Sequence, residues 1–521
     1  MTYFKKAFMI TLIASAPAMA QDVDLDVMYK IREEGLNNSQ VMKTLSYLTD
    51  NIGPRLSGSP ALKEANQWTA DQLTAWGLEN AHLEGFEFGR GWTYEYSTVH
   101  MTAPRLQQIQ AYPISWHPGT NGAIEGDVVY VDMNNYESYA GKLKGKIVAV
   151  SELRTIDKPS GDPVARHDDD SLKDLAKYSA PRARPQRSAK ENADRRIQRN
   201  MANKKRDAFF KEQGAIAYVR ASRRIGGIME ASGYDHAVGA TPSLPMVAIA
   251  AESYNRMMRL MNKGEAVSLK MDIKVTFYDD DTKIYNTIAE IPGKGRNPEI
   301  VMAGAHLDSW YVGDGAVDNG AGSAVVMEAM RILKAIGVEP KRTIRVALWG
   351  GEEQGLFGSR EYVAKHLADY PMLEGEKYKA LPDTQRKNTD MPMIKKDDYE
   401  KLSVYFNLDN GSGKIRGVYT QGNLAAQKVF NRWLEPFHDL GATTTTLGNT
   451  GGTDHLAYQA VGLPGYQFIQ DRLDYGSRLH HTQIDVLDNV IEEDLKQASV
   501  IMAAFIYNAA MKNDRMPRKP Q

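Results

Sequence analysis

From Lys274 onward, apolar stretches of strand length alternate with stretches of helix length. Residues 285–291, 299–304, 343–349 and 402–408 read as strands, and 320–336, 356–367 and 425–440 as helices. An alternation of this kind predicts an α/β fold, with a mostly parallel central sheet flanked by helices. In such sheets ligands bind beyond the carboxyl ends of the strands, so residues at those ends are the ones to inspect.

The earlier part of the chain has a different texture. Residues 22–77 read as helical, with Val41, Leu45 and Leu48 at helical spacing, a break at Gly53-Pro54, and a second amphipathic run through Trp68, Leu73 and Trp76. Strands are expected within 86–101. Short apolar strands at 126–131, 145–150 and 245–249, a helix leading into a strand over 208–219, and a helix over 251–261 predict a smaller α/β or β-rich module over 120–272. The basic stretch 182–206 is interrupted by Glu191 and Asp194, so it reads as a solvated helix or linker rather than a docking strip for an acidic partner. Residues 371–400 are polar and long for a connection, which predicts a surface insertion near the active face. The expected division is 1–20 as a signal peptide, 21–119 as the first part of the main domain, 120–272 as an insert, and 273–521 as the rest of the main domain.

The signal reading rests on Lys5 and Lys6, the apolar run 7–16, and Ala18-Met19-Ala20 before Gln21, in that order. It predicts export to the periplasm or the extracellular space. No later stretch approaches ~18 consecutive apolar residues, so no stable membrane insertion is expected. A net charge of −1 gives no overall attraction to nucleic acid, and none is expected as a partner. A homodimer is compatible with the sequence. The chain has 0 cysteines, which excludes disulfides, thiol nucleophiles and thiolate ligands. Any metal must then be held by nitrogen and oxygen from His, Asp and Glu.

Candidates for that work stand at successive strand ends. The strand 299–304 runs into His306 and Asp308, which share a face of an extended chain as a ligand and its orienting partner do. Asp318 follows a glycine-rich run and precedes a helix, where a carboxylate also serves as an N-cap. The strand 343–349 ends in Glu352 and Glu353, whose side chains point differently, so one suits a metal and the other a bound water as general base. Asp409 ends the strand 402–408. His480 and His481 lie in a late loop, and Thr453-Asp454-His455 is a polar segment that can line the same mouth. Together, three carboxylates and two histidines suit two divalent ions about 3.5–4 Å apart, bridged by a carboxylate and a water. The donor set favours zinc, with cobalt or manganese as alternatives.

These pieces also form a familiar pattern. AHLDSW, GDGAVDNGAG, KRTIRVALWGGEEQGLFGS, NLDN, GGTDHLAYQAVGLPG and HHTQID, in this order, resemble metallopeptidase family 28, the zinc exopeptidases that include carboxypeptidase Q and bacterial zinc aminopeptidases. The resemblance spans about 284–510. The stretch GKLKGKIVAV makes 120–272 similar to the protease-associated domain often inserted in that family, while 151–206 and 371–400 match least. It implies a peptide substrate and two zinc ions per chain. One ion would take His306, Asp318 and Asp409, and the other Asp318, Glu353 and His481, with Asp318 bridging. It implies Glu352 as the general base and Asp308 as the carboxylate on His306. The family pattern His-Thr/Ser-x-x-Asp, here His481 to Asp485, prefers His481 over His480. The Thr453–His455 wording resembles aminopeptidases, whereas the surroundings of Asp318 and residues 340–354 look closer to carboxypeptidase Q, which leaves the recognised peptide end open.

A non-catalytic receptor-like protein on the same fold is the alternative from another class. Such relatives have lost the ligand set that is complete here. A serine hydrolase would need a G-x-S-x-G elbow, and other zinc proteases an H-E-x-x-H helix, and neither occurs.

Overall fold

The computed structural model describes residues 23–156, 162–178, 187–295 and 298–520. The expected signal peptide and residues 182–186 of the basic stretch lie outside the described residues. No helix among the described residues is long and apolar enough to cross a membrane.

Eight strands form the first sheet: β1 Glu79–Glu87, β2 Lys283–Ile291, β3 Ile300–His306, β4 Thr343–Trp349, β5 Leu402–Asn407, β6 Ile415–Tyr419, β7 Thr444–Thr446 and β8 Gly465–Gln470. Their lateral order is β1-β2-β4-β3-β5-β8-β6-β7. The centre is parallel, with β3 paired to β4 and β5, and β5 to β8. Antiparallel pairs flank it, β1 with β2, β2 with β4, and β6 with β8. Every residue of β3 and β5 is buried, as expected of central strands covered on both faces. Alternation is therefore absent from their sequences, and they read as continuous apolar runs.

The main helices are α1 Leu25–Asn37, α2 Pro60–Ala75, α3 Ala189–Glu212, α4 Ala251–Asn262, α5 Ala321–Ala335, α6 Phe357–His366, α7 Leu424–Leu434 and α8 Glu492–Met511. On one face of the sheet, Met28 and Ile31 of α1, Val325 and Ile332 of α5, and Val500 and Phe505 of α8 share a core with Val301, Val346 and Phe406. On the other face, Tyr362 of α6 and Tyr458 pack with Trp349 and Tyr405. α8 is buried almost all round, so no one-sided apolar stripe marks it in sequence. The helix expected over 425–440 ends as α-helix at Leu434 and continues as a 3-10 segment, Glu435–Leu440. Pro436 explains the change, because its ring removes a backbone donor and crowds the preceding turn.

A second eight-stranded sheet runs from Gly91–Ala103 to Ser268–Tyr278. It has its own core of Val99, Ile147, Val219, Val247 and Leu269, closed by Met257 of α4. It takes in strands that lie outside 120–272, including Gly91–Ala103 and Gln107–Ile109. An aromatic cluster joins the two sheets, with Phe88, Trp92, Trp116, Trp310, Tyr311 and Phe357 in contact.

Most of the basic stretch belongs to α3, which opens on a capping box of Ser188 and Glu191 and is largely exposed. The polar insertion of 371–400 packs against it. Leu373, Tyr378 and Leu381 meet Ala189 and Ala193, and Lys377 pairs with Asp194 at 2.6 Å.

Candidate metal centre

The in-register pairing of β3 with β4, His306 opposite Trp349, and of β3 with β5, Gly304 opposite Asn407, brings three strand ends level. His306 ends β3, the turn after β4 carries Glu352 and Glu353, and Asp409 follows β5. All the residues singled out in this sheet therefore reach one edge, and Asp318 joins them from the segment before α5.

Asp318 occupies the middle. Its Oδ1 lies 3.4 Å from His306 Nε2, and its Oδ2 lies 3.3 Å from His481 Nε2. His306 Nε2 also lies 3.4 Å from Asp409 Oδ1, and His481 Nε2 lies 2.9 Å from Glu353 Oε2. Zinc bonds to N and O of roughly 2.0–2.2 Å give a tetrahedral edge of about 3.4 Å, so these spacings fit ligands around a shared ion. Asp318 Oδ2 and Glu353 Oε1 are buried without a hydrogen-bond partner, a state that costs free energy unless a cation satisfies them. A cavity of about 10 Å³ lies between Trp310, Asp318, Glu353 and His481, room for about one small occupant. A larger hollow of about 390 Å³, lined by Arg90, Thr241 and Asp279, holds none of these residues.

The two adjacent histidines differ. Their rings stack at 3.6 Å, and His480 Nε2 lies 3.7 Å from Asp318 Oδ2. Among the described residues, two groupings of ligand atoms have metal-site spacing, His306 with Asp318 and Asp409, and Asp318 with His480 and His481. His481 is nearer to Asp318 and alone of the pair reaches Glu353, whereas His480 is more exposed.

Asp318 is not an N-cap. The cap position of α5 is Gly320, with no side-chain cap bond. Asn319 does that work, accepting from Gly322 N at 3.1 Å and donating to Leu408 O at 2.9 Å. A Cβ on Gly322 would stand 2.4 Å from Leu408 O, so only glycine lets α5 start against the end of β5.

Asp308 does more than pair with His306. The ring Nδ1 is 2.9 Å from the Asp308 carbonyl oxygen and 3.6 Å from its carboxylate. That carboxylate accepts from Glu352 N at 3.1 Å, Glu353 N at 3.2 Å and Ser57 Oγ at 3.0 Å. It thus holds the His306 loop and the two-glutamate turn together.

The electrostatics are those of crowded buried acids. Burial pushes the Glu352 and Glu353 carboxyls well above the ordinary range, and neighbouring carboxylates add to it against the pull of His306. Burial opposes a charge on His306, yet Asp409 and Glu352 outweigh it and raise its pKa. Burial also works against an ionised Asp318, but its bond to His306 and the nearby His481 and His480 hold it low. Burial lifts Asp454 to about 7, despite a hydrogen bond from Ser359 Oγ at 2.5 Å. His455 turns away toward Thr450 O and Gln421, and burial depresses it to about 4.

Three further residues support the centre. Asp485 accepts from the backbone N–H groups of Val317 and Asp318 at 2.6 and 3.0 Å, fixing the central carboxylate. The buried Arg55 donates to the carbonyls of Leu307, Asp314 and Gly315 at 2.8–2.9 Å. Tyr475 stands in the combined field of Asp318, Asp409, Glu353 and Glu352, and burial first, then those charges, keep its phenol protonated. Only the family pattern pointed at Asp485, and nothing local marked Arg55 or Tyr475.

Residues 286–506 match the family described as Peptidase family M28. The mouse protein carboxypeptidase Q is 26% identical over 486 residues, covering 93% of this chain and 88% of that protein. Among solved structures, a peptidase M28 precursor from Shewanella amazonensis SB2B is similar with a TM-score of 0.67 at 24% identity, covering 95% of this chain and 99% of that one. BSAP, a zinc aminopeptidase from Bacillus subtilis, has a TM-score of 0.56 at 21% identity, with 91% and 95% covered.

Proposed function

We propose that this chain is a metalloexopeptidase of the family that residues 286–506 match, Peptidase family M28, and that it cleaves peptides or dipeptides at or near a terminus with two zinc ions. One ion would be held by His306, Asp318 and Asp409, the other by Asp318, Glu353 and His481. The observation that carries the reading is Asp318, whose two oxygens face His306 and His481 separately, at 3.4 and 3.3 Å. A carboxylate so placed joins two ligand groups into one centre. When bound, such ions lower the pKa of a coordinated water and polarise a scissile carbonyl.

The remaining work falls to the chain. Glu352, buried at the turn after β4, takes the proton of the attacking water on its carboxylate and passes it to the leaving amine nitrogen. Asp308 keeps that turn in place through the Glu352 and Glu353 N–H groups. The Tyr475 hydroxyl is a neutral donor for the oxygen of the reacting carbonyl. Trp310 lines the small cavity on the His481 side.

The reading includes export through the N-terminal segment and a protease-associated-like module built on the second sheet. N-terminal sequencing of secreted material is expected to begin at Gln21. The decisive experiment concerns Glu352→Gln. It is expected to retain about two zinc ions per chain and to lose turnover on a dipeptide panel by a factor of about 10²–10⁴. Near-normal turnover removes Glu352 from the mechanism, and a reproducible single zinc removes the paired centre.

A further inference from the structure

The proposed chemistry leaves His480 without a task. Neighbouring side chains of an extended chain point to opposite faces. Here a tight turn from Leu479 to Thr482, closed by Thr482 N donating to Leu479 O at 3.0 Å, brings both histidine rings to one side. His480 has φ of −52° and ψ of 113°, and His481 has φ of +63°, as in a type II turn. The second central position of that turn favours glycine, so a histidine there is held under backbone strain. What the chain gains is a pair of stacked imidazoles, 3.6 Å apart. Both Nε2 atoms face Oδ2 of Asp318, at 3.3 Å from His481 and 3.7 Å from His480. His480 is itself fixed in place. Its N–H donates to Tyr475 O at 2.9 Å, its carbonyl accepts from Arg224 at 3.0 Å, and its ring stands edge-on to Tyr475 at 4.9 Å.

Asp318, His480 and His481 each offer a ligand atom, and the three atoms lie within 4.8 Å of one another. This triad shares Asp318 and His481 with the triad proposed for the second ion, and has His480 where that one has Glu353. The two triads differ in depth. The His480 side chain is 37% exposed and that of His481 21%, against 4% for Asp318 and 3% for Glu353. His480 is thus the outermost of the four, and Glu353 lies at the buried end. The cavity beside Glu353 has room for about one small occupant, so a hydrated ion must shed water to enter it. Shedding is easiest when each departing water is replaced by a protein ligand, and zinc accepts a fifth ligand during such a swap.

We propose that His480 is a transfer ligand: zinc lands on Asp318, His480 and His481, reaches the second position when Glu353 displaces His480, and leaves by the reverse path. The inference rests on the paired centre of the proposed function. Asp318 and His481 hold the ion throughout, and a single ligand is exchanged. The strained turn then has a purpose, because it alone sets a second imidazole over the same carboxylate oxygen.

The test follows zinc alone on the full-length protein by stopped flow, with uptake read by a fluorescent zinc indicator and release by a chromophoric chelator. In the parent, the uptake rate of one ion is expected to level off as zinc is raised, because landing precedes transfer. A rate that stays proportional to zinc up to about 1 mM, beyond which a landing site would be too weak to matter, overturns the proposal. His480→Phe keeps a stacking ring and removes the ligand, and His480→Gln serves as a second variant. Each is expected to slow uptake and release of one ion by about tenfold, with that ion's affinity and the other ion's rates unchanged. A ligand used only in passing alters both rates by one factor, whereas a merely structural role speeds release and weakens affinity. Unaltered rates, or faster release with weaker binding, overturn the proposal. The uptake measurement on the parent needs no variant and stays decisive if both substitutions prevent folding. A parent that holds a single zinc refutes the paired centre of the proposed function, while two zinc ions with unaltered rates in the variants refute the transfer role alone.

Discussion

Asp318 and Arg55 show how single residues acquire their roles here. A carboxylate before a helix ordinarily caps it, yet Asn319 caps α5 and leaves both oxygens of Asp318 free for His306 and His481. Arg55 is fully buried, and although burial lowers its pKa to about 10, Asp485, Asp308, Asp314 and Asp318 favour its charge. Its guanidinium joins the segment after Gly53 to the loop that carries Asp308 and Asp314. Arg55→Met is expected to cost about 3–5 kcal/mol, because it strands buried carbonyls and acids at once. Chemical denaturation of the zinc-free protein measures this, and a loss below about 1 kcal/mol refutes the account. The motif residues were legible because His306, Glu352, Glu353 and Asp409 stand at or just beyond strand ends, while Asp318 and His481 lie in glycine-rich and paired-histidine segments of their own. Arg55 was not, since its partners lie some 250 residues away and an isolated arginine carries no local mark.

At the scale of elements, the strand pattern was readable where strands are central. β4 matches its expected bounds, and β3 extends two residues further, to His306 itself. The capping box of α3 begins well before the helical stretch expected near 208, since a polar, exposed helix shows no apolar period. The loop after Ala221 illustrates what sequence cannot show. Arg224 donates to the carbonyls of Gly476 and His480 at 2.9 and 3.0 Å, and Gln483 bonds to Met229 and Gly227. A loop of the second sheet thereby holds the segment that carries His481. Arg224→Ala is expected to weaken zinc binding at the His481 side by about tenfold while sparing the His306 side. Titration with zinc, followed by metal analysis, should then give two steps further apart than in the parent protein. Unchanged affinity at both sites defeats that role for the loop.

For the whole molecule, the joint between the sheets carries a pH dependence. His236 stacks on Phe88 at 4.0 Å, edge-on to Trp116 and Phe357, and its Nδ1 lies 2.9 Å from Phe88 O. Burial depresses it to about 4, and burial does the same to His117, whose Nδ1 lies 2.9 Å from Leu244 O. Both are neutral when folded and gain protons more readily when unfolded. Their contribution is present above about pH 6.5 and is lost as the pH falls toward about 4. Thermal melting of zinc-free protein is expected to show that decline, and His236→Phe, which keeps a stacking ring, should flatten part of it. An unaltered slope in the variant refutes the assignment to His236.

The sequence by itself determined which segments become central strands and which acids and histidines stand at their ends, because burial on two faces demands unbroken apolar runs and strand ends follow from where those runs stop. It also carried the resemblance to metallopeptidase family 28, through ordered motifs within 284–510. Tertiary structure alone decided how those ends converge on Asp318, that His481 rather than His480 touches Glu353, and that Arg55, Asp485 and Tyr475 support the centre. Contacts between residues hundreds of positions apart depend on chain crossovers and packing of whole elements, and local periodicity contains no record of either.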